Sequence, residues 1–240
     1  MHKPNSKIYS AQHLKKLATA ALFAAIAYVA MFVTSWIKVG FLTFDAKDTI
    51  ITLAGLLFGP LYSLAISLVV ATIELITVGD TGFYGFFMNF LSSAVFSTIC
   101  ALIYKYKKNI KGAIIGLVAS VLTMTAVMLL FNLFITPFYM HVEREVVASM
   151  IPTLFLPFNL TKGTLNAALV LVLYKPISHA LKAVKVLPKT EVVISDEEEK
   201  REKRRKNLIF SLIVTAIGIV TVVLCAVVFF VFLNGTITFE

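Results

Sequence analysis

An all-α, polytopic membrane fold is what this sequence predicts, and three observations carry that prediction. Of 240 residues, 59% are hydrophobic and only 15% are charged, against about 45–50% apolar and about 25% charged in a typical soluble domain. Mean hydropathy is +0.89. Apolar runs recur along the chain at lengths suited to a bilayer, which a helix of about 20 residues crosses. An ordinary soluble globule is excluded. The charge surplus, 22 Lys+Arg over 13 Asp+Glu for a net +9, marks cytoplasmic loops in such a chain, so membrane lipid and not nucleic acid is the expected partner surface. Cys100 and Cys225 lie inside apolar runs, where cysteine behaves as a small hydrophobe and not as a disulfide or thiolate ligand.

Runs and breakers place spans near 17–37, 47–59, 60–78, 83–104, 112–137, 150–174 and 207–233. The first is too long for a cleavable signal and no small-residue cleavage site follows it, so it reads as a true membrane helix. The second gives only about 13 residues before Gly59-Pro60, roughly 20 Å of helix against a core of about 30 Å, so it must tilt, extend or stop partway. Orientation follows from the lysines. Lys3, Lys7, Lys15 and Lys16 precede span one, Lys105, Lys107, Lys108 and Lys111 join spans four and five, and Lys175, Lys182 and Lys185 follow span six. The opposite loops carry mixed charge: Lys38, Asp45, Lys47 and Asp48 in the first, Asp80 in Gly79-Asp80-Thr81-Gly82, then Glu143, Arg144 and Glu145. The positive-inside rule therefore sets a multi-pass cell-membrane protein with a cytoplasmic N-terminus and an extracellular C-terminus.

The domain reading is a basic N-terminus (1–16), a six-helix membrane domain (17–178), a charged linker (179–206), an added helix (207–233) and a short outer tail (234–240). The linker ends in a run from Ser195 to Lys206 that mixes acidic and basic residues. It reads as a solvated helix with i,i+4 pairs or as a tether, the alternative being a docking segment. Span seven has no ionisable residue and looks like a lipid-facing anchor outside any site.

Polar groups within spans are costly and face protein or water. Counted from the outer end of each span at about 1.5 Å per residue, Glu74 lies roughly 6 Å deep, Asn89 and Asn132 roughly 9 Å, Asn159 roughly 13 Å and Lys162 roughly 18 Å. Four helices thus present polar side chains at comparable depth, as an outward-facing pocket requires. Asn159, Lys162 and Asn166 stand at i, i+3 and i+7 and share a helix face. The plainer readings are helix–helix hydrogen bonding by the amides and a Lys162–Glu74 ion pair. Trp36, Phe41 and Phe44 cluster around the first outer loop, and the run from Phe83 to Phe90 opens span four. Such aromatics serve an interfacial belt or wall a planar ligand. Pro157 removes a backbone donor, which should free a carbonyl near the polar face. In span one, Ala20 and Ala24, with Ala21 and Ala25, form small-residue pairs at spacing four, suited to internal packing or to docking of another membrane subunit.

No nucleotide-binding Gly-rich loop, His-Glu-x-x-His or Gly-x-Ser-x-Gly motif occurs, and His2, His13, His141 and His179 have no metal-ligand spacing. Neither an enzyme nor a metal site is expected, and no resident cofactor.

Several of these strings resemble a known family. Its carriers are the small-residue first helix, Leu56-Leu57-Phe58-Gly59-Pro60, the Gly79-Asp80 turn, Phe86-Phe87-Met88-Asn89-Phe90-Leu91, Asn132-Leu133-Phe134-Ile135-Thr136-Pro137 and, above all, Leu156-Pro157-Phe158-Asn159-Leu160-Thr161-Lys162-Gly163. Over residues 15–178 the chain is similar to the membrane-embedded substrate-binding (S) components of energy-coupling factor (ECF) vitamin transporters, in particular their riboflavin-binding branch. The resemblance implies a six-helix unit that captures riboflavin from outside under a lid formed by residues 38–46. It further implies a transmembrane coupling subunit and two ATPase subunits as partners, with riboflavin a transported ligand and not a cofactor. Site residues implied are Asn159 and Lys162, then Asn132, with Asn89 matching by position only, while Ala20, Ala24, Ala21 and Ala25 form the coupling face; Glu74, from its depth, and Phe44, from its place in the first outer loop, complete the candidate substrate-binding set. Open alternatives are an S component for pantothenate or folate, an ion-coupled secondary transporter using Glu74 and Lys162, and a scaffold built on the linker and span seven.

Overall fold

The computed structural model describes residues 6–79, 81–184, 186 and 197–237. Asp80 of the expected turn, and linker residues 185 and 187–196, lie outside the described residues. The order is α1 (Ser6–Thr34), β1 (Ile37–Val39), β2 (Leu42–Thr43), α2 (Lys47–Phe58), α3 (Pro60–Thr77), α4 (Gly82–Tyr106), α5 (Ile110–Met140), α6 (Arg144–Met150), α7 (Leu156–Ala183), α8 (Glu197–Val227) and β3 (Thr236–Ile237). Six helical segments among the described residues are long and apolar enough to cross a bilayer, and α2 is not one of them. The multi-pass, all-α architecture expected from the hydropathy is the one observed.

Several boundaries differ from those read in the sequence. The basic N-terminal stretch is not separate from span one, since α1 is already helical from Ser6. Charged residues from Glu197 onward continue directly into the seventh membrane helix as one helix, α8. The stretch expected to be a short outer tail carries β3, which pairs with β1. The loop 38–46 contains a hairpin, with Lys38 opposite Thr43 and Val39 opposite Leu42.

Helix α2 has 12 residues, nine of them buried, and at 1.5 Å per residue it reaches only about 18 Å into the bundle. It stops there because Gly59 takes φ 112°, ψ 167°, a conformation open mainly to glycine, and Pro60 then opens α3 at the first-turn position where its missing N–H costs nothing. The short α2 and the returning α3 form a hairpin inserted among the longer helices. At its turn the packing is tight: a Cβ on Gly55 would lie 2.9 Å from the Ser63 Cβ and 3.0 Å from the Ala101 Cβ. Ala20, Phe23, Ala24 and Ala27 of α1 join Ile51, Leu53 and Ala54 of α2 in the main core. α8 packs along α7.

The proline-rich stretch before α7 is accommodated without an abrupt break. Residues Ile151–Phe155 form a π-helical turn, so the Leu156 N–H reaches the Ile151 carbonyl five residues back, and Pro152 and Pro157 sit within a widened helix. The Asn159 side-chain amide donates to the Phe155 carbonyl at 2.8 Å.

Gly55→Ala should lower stability by about 1–3 kcal/mol through overpacking of the α2–α3 turn against α4. Thermal unfolding in detergent measures this, and an unchanged midpoint would contradict the close approach.

Candidate functional site

Where α2 begins, the chain has a capping problem. Its first residue lies inside the bundle, and the preceding Ala46 has no side chain to satisfy the exposed N–H groups. Asn166 of α7 supplies the cap from 117 positions away: its Oδ1 accepts from the Thr49 N–H at 3.1 Å and from the Thr49 hydroxyl at 2.7 Å. Its Nδ2 donates to the Asp45 carbonyl at 3.1 Å. On the other side, the Ala46 N–H donates to the Thr34 hydroxyl at the end of α1, 3.0 Å away. The start of α2 is therefore clamped between α1 and α7.

Five charged residues gather around this clamp, all nearly inaccessible: Asp45, Lys47, Asp48, Glu74 and Lys162. Lys162 donates to Asp45 Oδ2 at 2.7 Å. Lys47 donates to both Glu74 oxygens, at 2.6 and 2.8 Å, and stands 3.6 Å from Asp45 Oδ2. Asp48 accepts from the Ser93 hydroxyl at 2.5 Å and lies in the first turn of α2, where the helix dipole favours a carboxylate. Lys47 in the same turn is disfavoured by that dipole, and Glu74 compensates it. The expected Lys162–Glu74 pair is not formed: Lys162 pairs with Asp45, and Glu74 pairs with Lys47. Lys47 is the more buried of the two lysines, 1% exposed against 6%.

A cavity of about 820 Å³ opens above this network at the hairpin end, within the size range of small-molecule sites. Asp45, Glu74, Lys162, Asn159, Asn132 and Asn89 all line it, together with Trp36, Phe41, Tyr84, Phe86 and Phe158. Lys162, Asn159 and Asn132 are presented by long, well-packed helices. Asn132 is held in orientation, its amide donating to the Met128 carbonyl at 2.7 Å and its oxygen accepting from the Thr136 hydroxyl at 2.9 Å. Phe41, at the hairpin tip, stands edge-on to Phe155 with ring centres 5.8 Å apart. Such walls suit a flat, polar-edged molecule: apolar faces for its rings, amides and an ammonium for its periphery.

The other residues singled out in the sequence fall elsewhere. Phe44 is not among the lining residues. It is buried behind the hairpin against Phe229 of the C-terminal segment and beside Phe158 in the same apolar cluster. Asn166 belongs to the α2 clamp, not to the cavity wall. The alanine pairs separate: Ala20 and Ala24 point into the core at 7% and 6% exposure, whereas Ala21 and Ala25 are exposed. A docking face on α1 can use only the second pair. A further cavity of about 320 Å³ between α5, α7 and α8 has no charged or amide side chain, only Thr164 and Thr221 among its polar lining.

The site residues that sequence reasoning passed over are Asp45, Lys47 and Asp48. They read as loop charges, although they open the second run, the one too short to span.

A family model described as "ECF transporter, substrate-specific component" matches residues 15–176. The chain belongs to this family. It is 31% identical over 182 residues to the riboflavin transporter RibU of Staphylococcus aureus (strain TCH60), an alignment covering 72% of this chain and 95% of RibU. A solved structure described as the S component of a bacterial ECF transporter superposes with TM-score 0.60 at 29% identity, covering 71% of this chain and 99% of the other. This S component is therefore the substrate-binding membrane subunit of a transporter. Membership also implies a vitamin ligand and ECF-module partners.

Lys47→Met leaves Glu74 buried without a partner and should cost about 3–5 kcal/mol of stability, while adding Glu74→Gln should recover part of the loss. Thermal unfolding of the two variants checks the pairing. Equal losses in the single and double variants would contradict it.

Proposed function

We propose that this S component captures riboflavin, or a close flavin, from the extracellular side and delivers it inward with a transmembrane coupling subunit and two ATPase subunits. The observation that carries this reading is the pairing of Lys162 with Asp45 beneath an aromatic-walled cavity, on the same α7 face as Asn159. Riboflavin offers a planar ring system for the aromatic walls, carbonyl and imide groups for amides and an ammonium, and a hydroxylated chain for the remaining polar groups. The 31% identity to a riboflavin transporter supports the same ligand.

In this reading the hairpin β1–β2 roofs the bound vitamin. The N-terminus is cytoplasmic and the hairpin end extracellular, in keeping with the lysine-rich loops at the other end. Ala21 and Ala25 offer the close-approach surface for the coupling subunit.

Protein purified from cells should be yellow and should quench the fluorescence of added riboflavin. A colourless preparation that does not quench would contradict the ligand assignment and leave pantothenate or folate to be tested in turn. Lys162→Ala should weaken riboflavin binding by more than about 1.4 kcal/mol, a factor of ten. Unchanged affinity would make Lys162 a structural residue only.

A further inference from the structure

The family match ends at residue 176, so α8 and β3 lie beyond the conserved architecture, and about seven-tenths of this chain accounts for nearly all of both relatives. An added helix that merely anchors the chain would need to touch only lipid and one neighbouring helix. Along most of its length α8 fits that description, with Leu212, Ile219, Val223 and Leu224 exposed. Its far end does not.

Three features tie that end to the roof of the cavity. First, β3 adds to the hairpin as a third strand, antiparallel to β1, with Ile37 opposite Ile237 and Lys38 opposite Thr236. β1 thereby becomes the middle strand, paired on both edges. Second, Phe229 is only 2% exposed and stands edge-on to Phe44 at 5.9 Å between ring centres, with Phe158 at 6.3 Å. Third, the chain turns directly after the helix to deliver β3, the Gly235 N–H donating to the Phe229 carbonyl at 3.0 Å. The sequence neighbours of those two phenylalanines are the site itself: Asp45, which holds Lys162, follows Phe44, and Asn159 follows Phe158. One buried ring therefore backs both the hairpin and the start of α7.

From this arrangement we propose that the C-terminal segment is a clasp: Phe229 and β3 are positioning elements that hold the hairpin over the cavity and thereby slow the departure of bound ligand. The hairpin alone is a two-stranded ribbon of five strand residues, and isolated two-stranded hairpins are marginal. A third strand and a buried aromatic contact supply the missing support. Opening the roof then requires either breaking the β1–β3 pairing or moving the end of α8 with it. The ligand half of this inference rests on the riboflavin reading above, whereas the hairpin half does not.

The test uses the full chain in lipid nanodiscs, comparing the unaltered protein with Phe229→Ala and, separately, Thr236→Pro, which breaks the strand pairing without touching the aromatic contact. Two quantities are read: amide hydrogen exchange over residues 37–43 without ligand, and the riboflavin dissociation rate from fluorescence recovery. Each variant should speed exchange in β1 by more than about tenfold, because an opened local unit loses its protection, and should speed dissociation by about tenfold or more, since such changes fall mainly on the off-rate. Unchanged exchange in both variants would overturn the clasp. Faster exchange with unchanged dissociation would overturn its positioning role. Should the unaltered chain bind no riboflavin, the ligand assignment fails, and the exchange measurement still decides whether the clasp exists. Should Phe229→Ala fail to fold, Thr236→Pro decides alone.

Discussion

Two lysines and three carboxylates are withdrawn from water at the start of α2, and the surrounding structure is arranged around making that tolerable. Charges inside a membrane protein persist only when they meet each other, hydrogen-bonding groups or a water-lined cavity. Here Asp45 serves Lys162, Glu74 serves Lys47, and Ser93 serves Asp48. These contacts join α2, α3, α4, α7 and the loop after the hairpin, so the charge network also fixes how the helices meet. Asn166 completes the arrangement by capping α2 in place of Ala46. The polar floor of the cavity comes from this network, since Asp45, Glu74 and Lys162 are buried around the start of α2 and line it.

The fold was largely legible in the sequence because hydropathy and breaker residues act locally. Gly59-Pro60 marked the end of α2, and the length of that run showed that it had to tilt, extend or stop partway, without deciding which. The polar residues Asn89, Asn132, Asn159 and Lys162 could be placed at comparable depth from position alone, and they do meet at one cavity. Their partners were not legible. Asp45 and Lys162 are separated by 117 positions, and nothing in either neighbourhood distinguishes Asp45 from Glu74 as the counter-charge. The alanines of α1 show the same limit: two pairs at spacing four lie one residue apart, and only the packing of α2 decides that Ala20 and Ala24 turn inward. Phe44, read as a cavity residue from its place in the outer loop, instead faces the C-terminal segment.

That segment changes the view of the seventh helix. Read from its sequence, the apolar stretch 207–233 that forms the membrane part of α8 is an anchor with no charged residue. In the structure most of it keeps that character, yet its end places Phe229 among Phe44 and Phe158 and contributes β3 to the hairpin. If the clasp holds the hairpin as proposed, the working unit extends past the six-helix domain, and removal of the helix would free the hairpin. A device of this kind also suits the chemistry below it, because a roof that stays shut keeps water from the Lys162–Asp45 pair and strengthens it.

The central claim is that Asp45 and Lys162 act as one unit in holding ligand. A double-mutant cycle on riboflavin affinity, with Asp45→Asn, Lys162→Met and the double variant, tests it most directly. Coupling of about 1 kcal/mol or more between the two sites is the predicted result, since residues in one buried network are non-additive. Additive losses, or losses confined to Lys162, would contradict it.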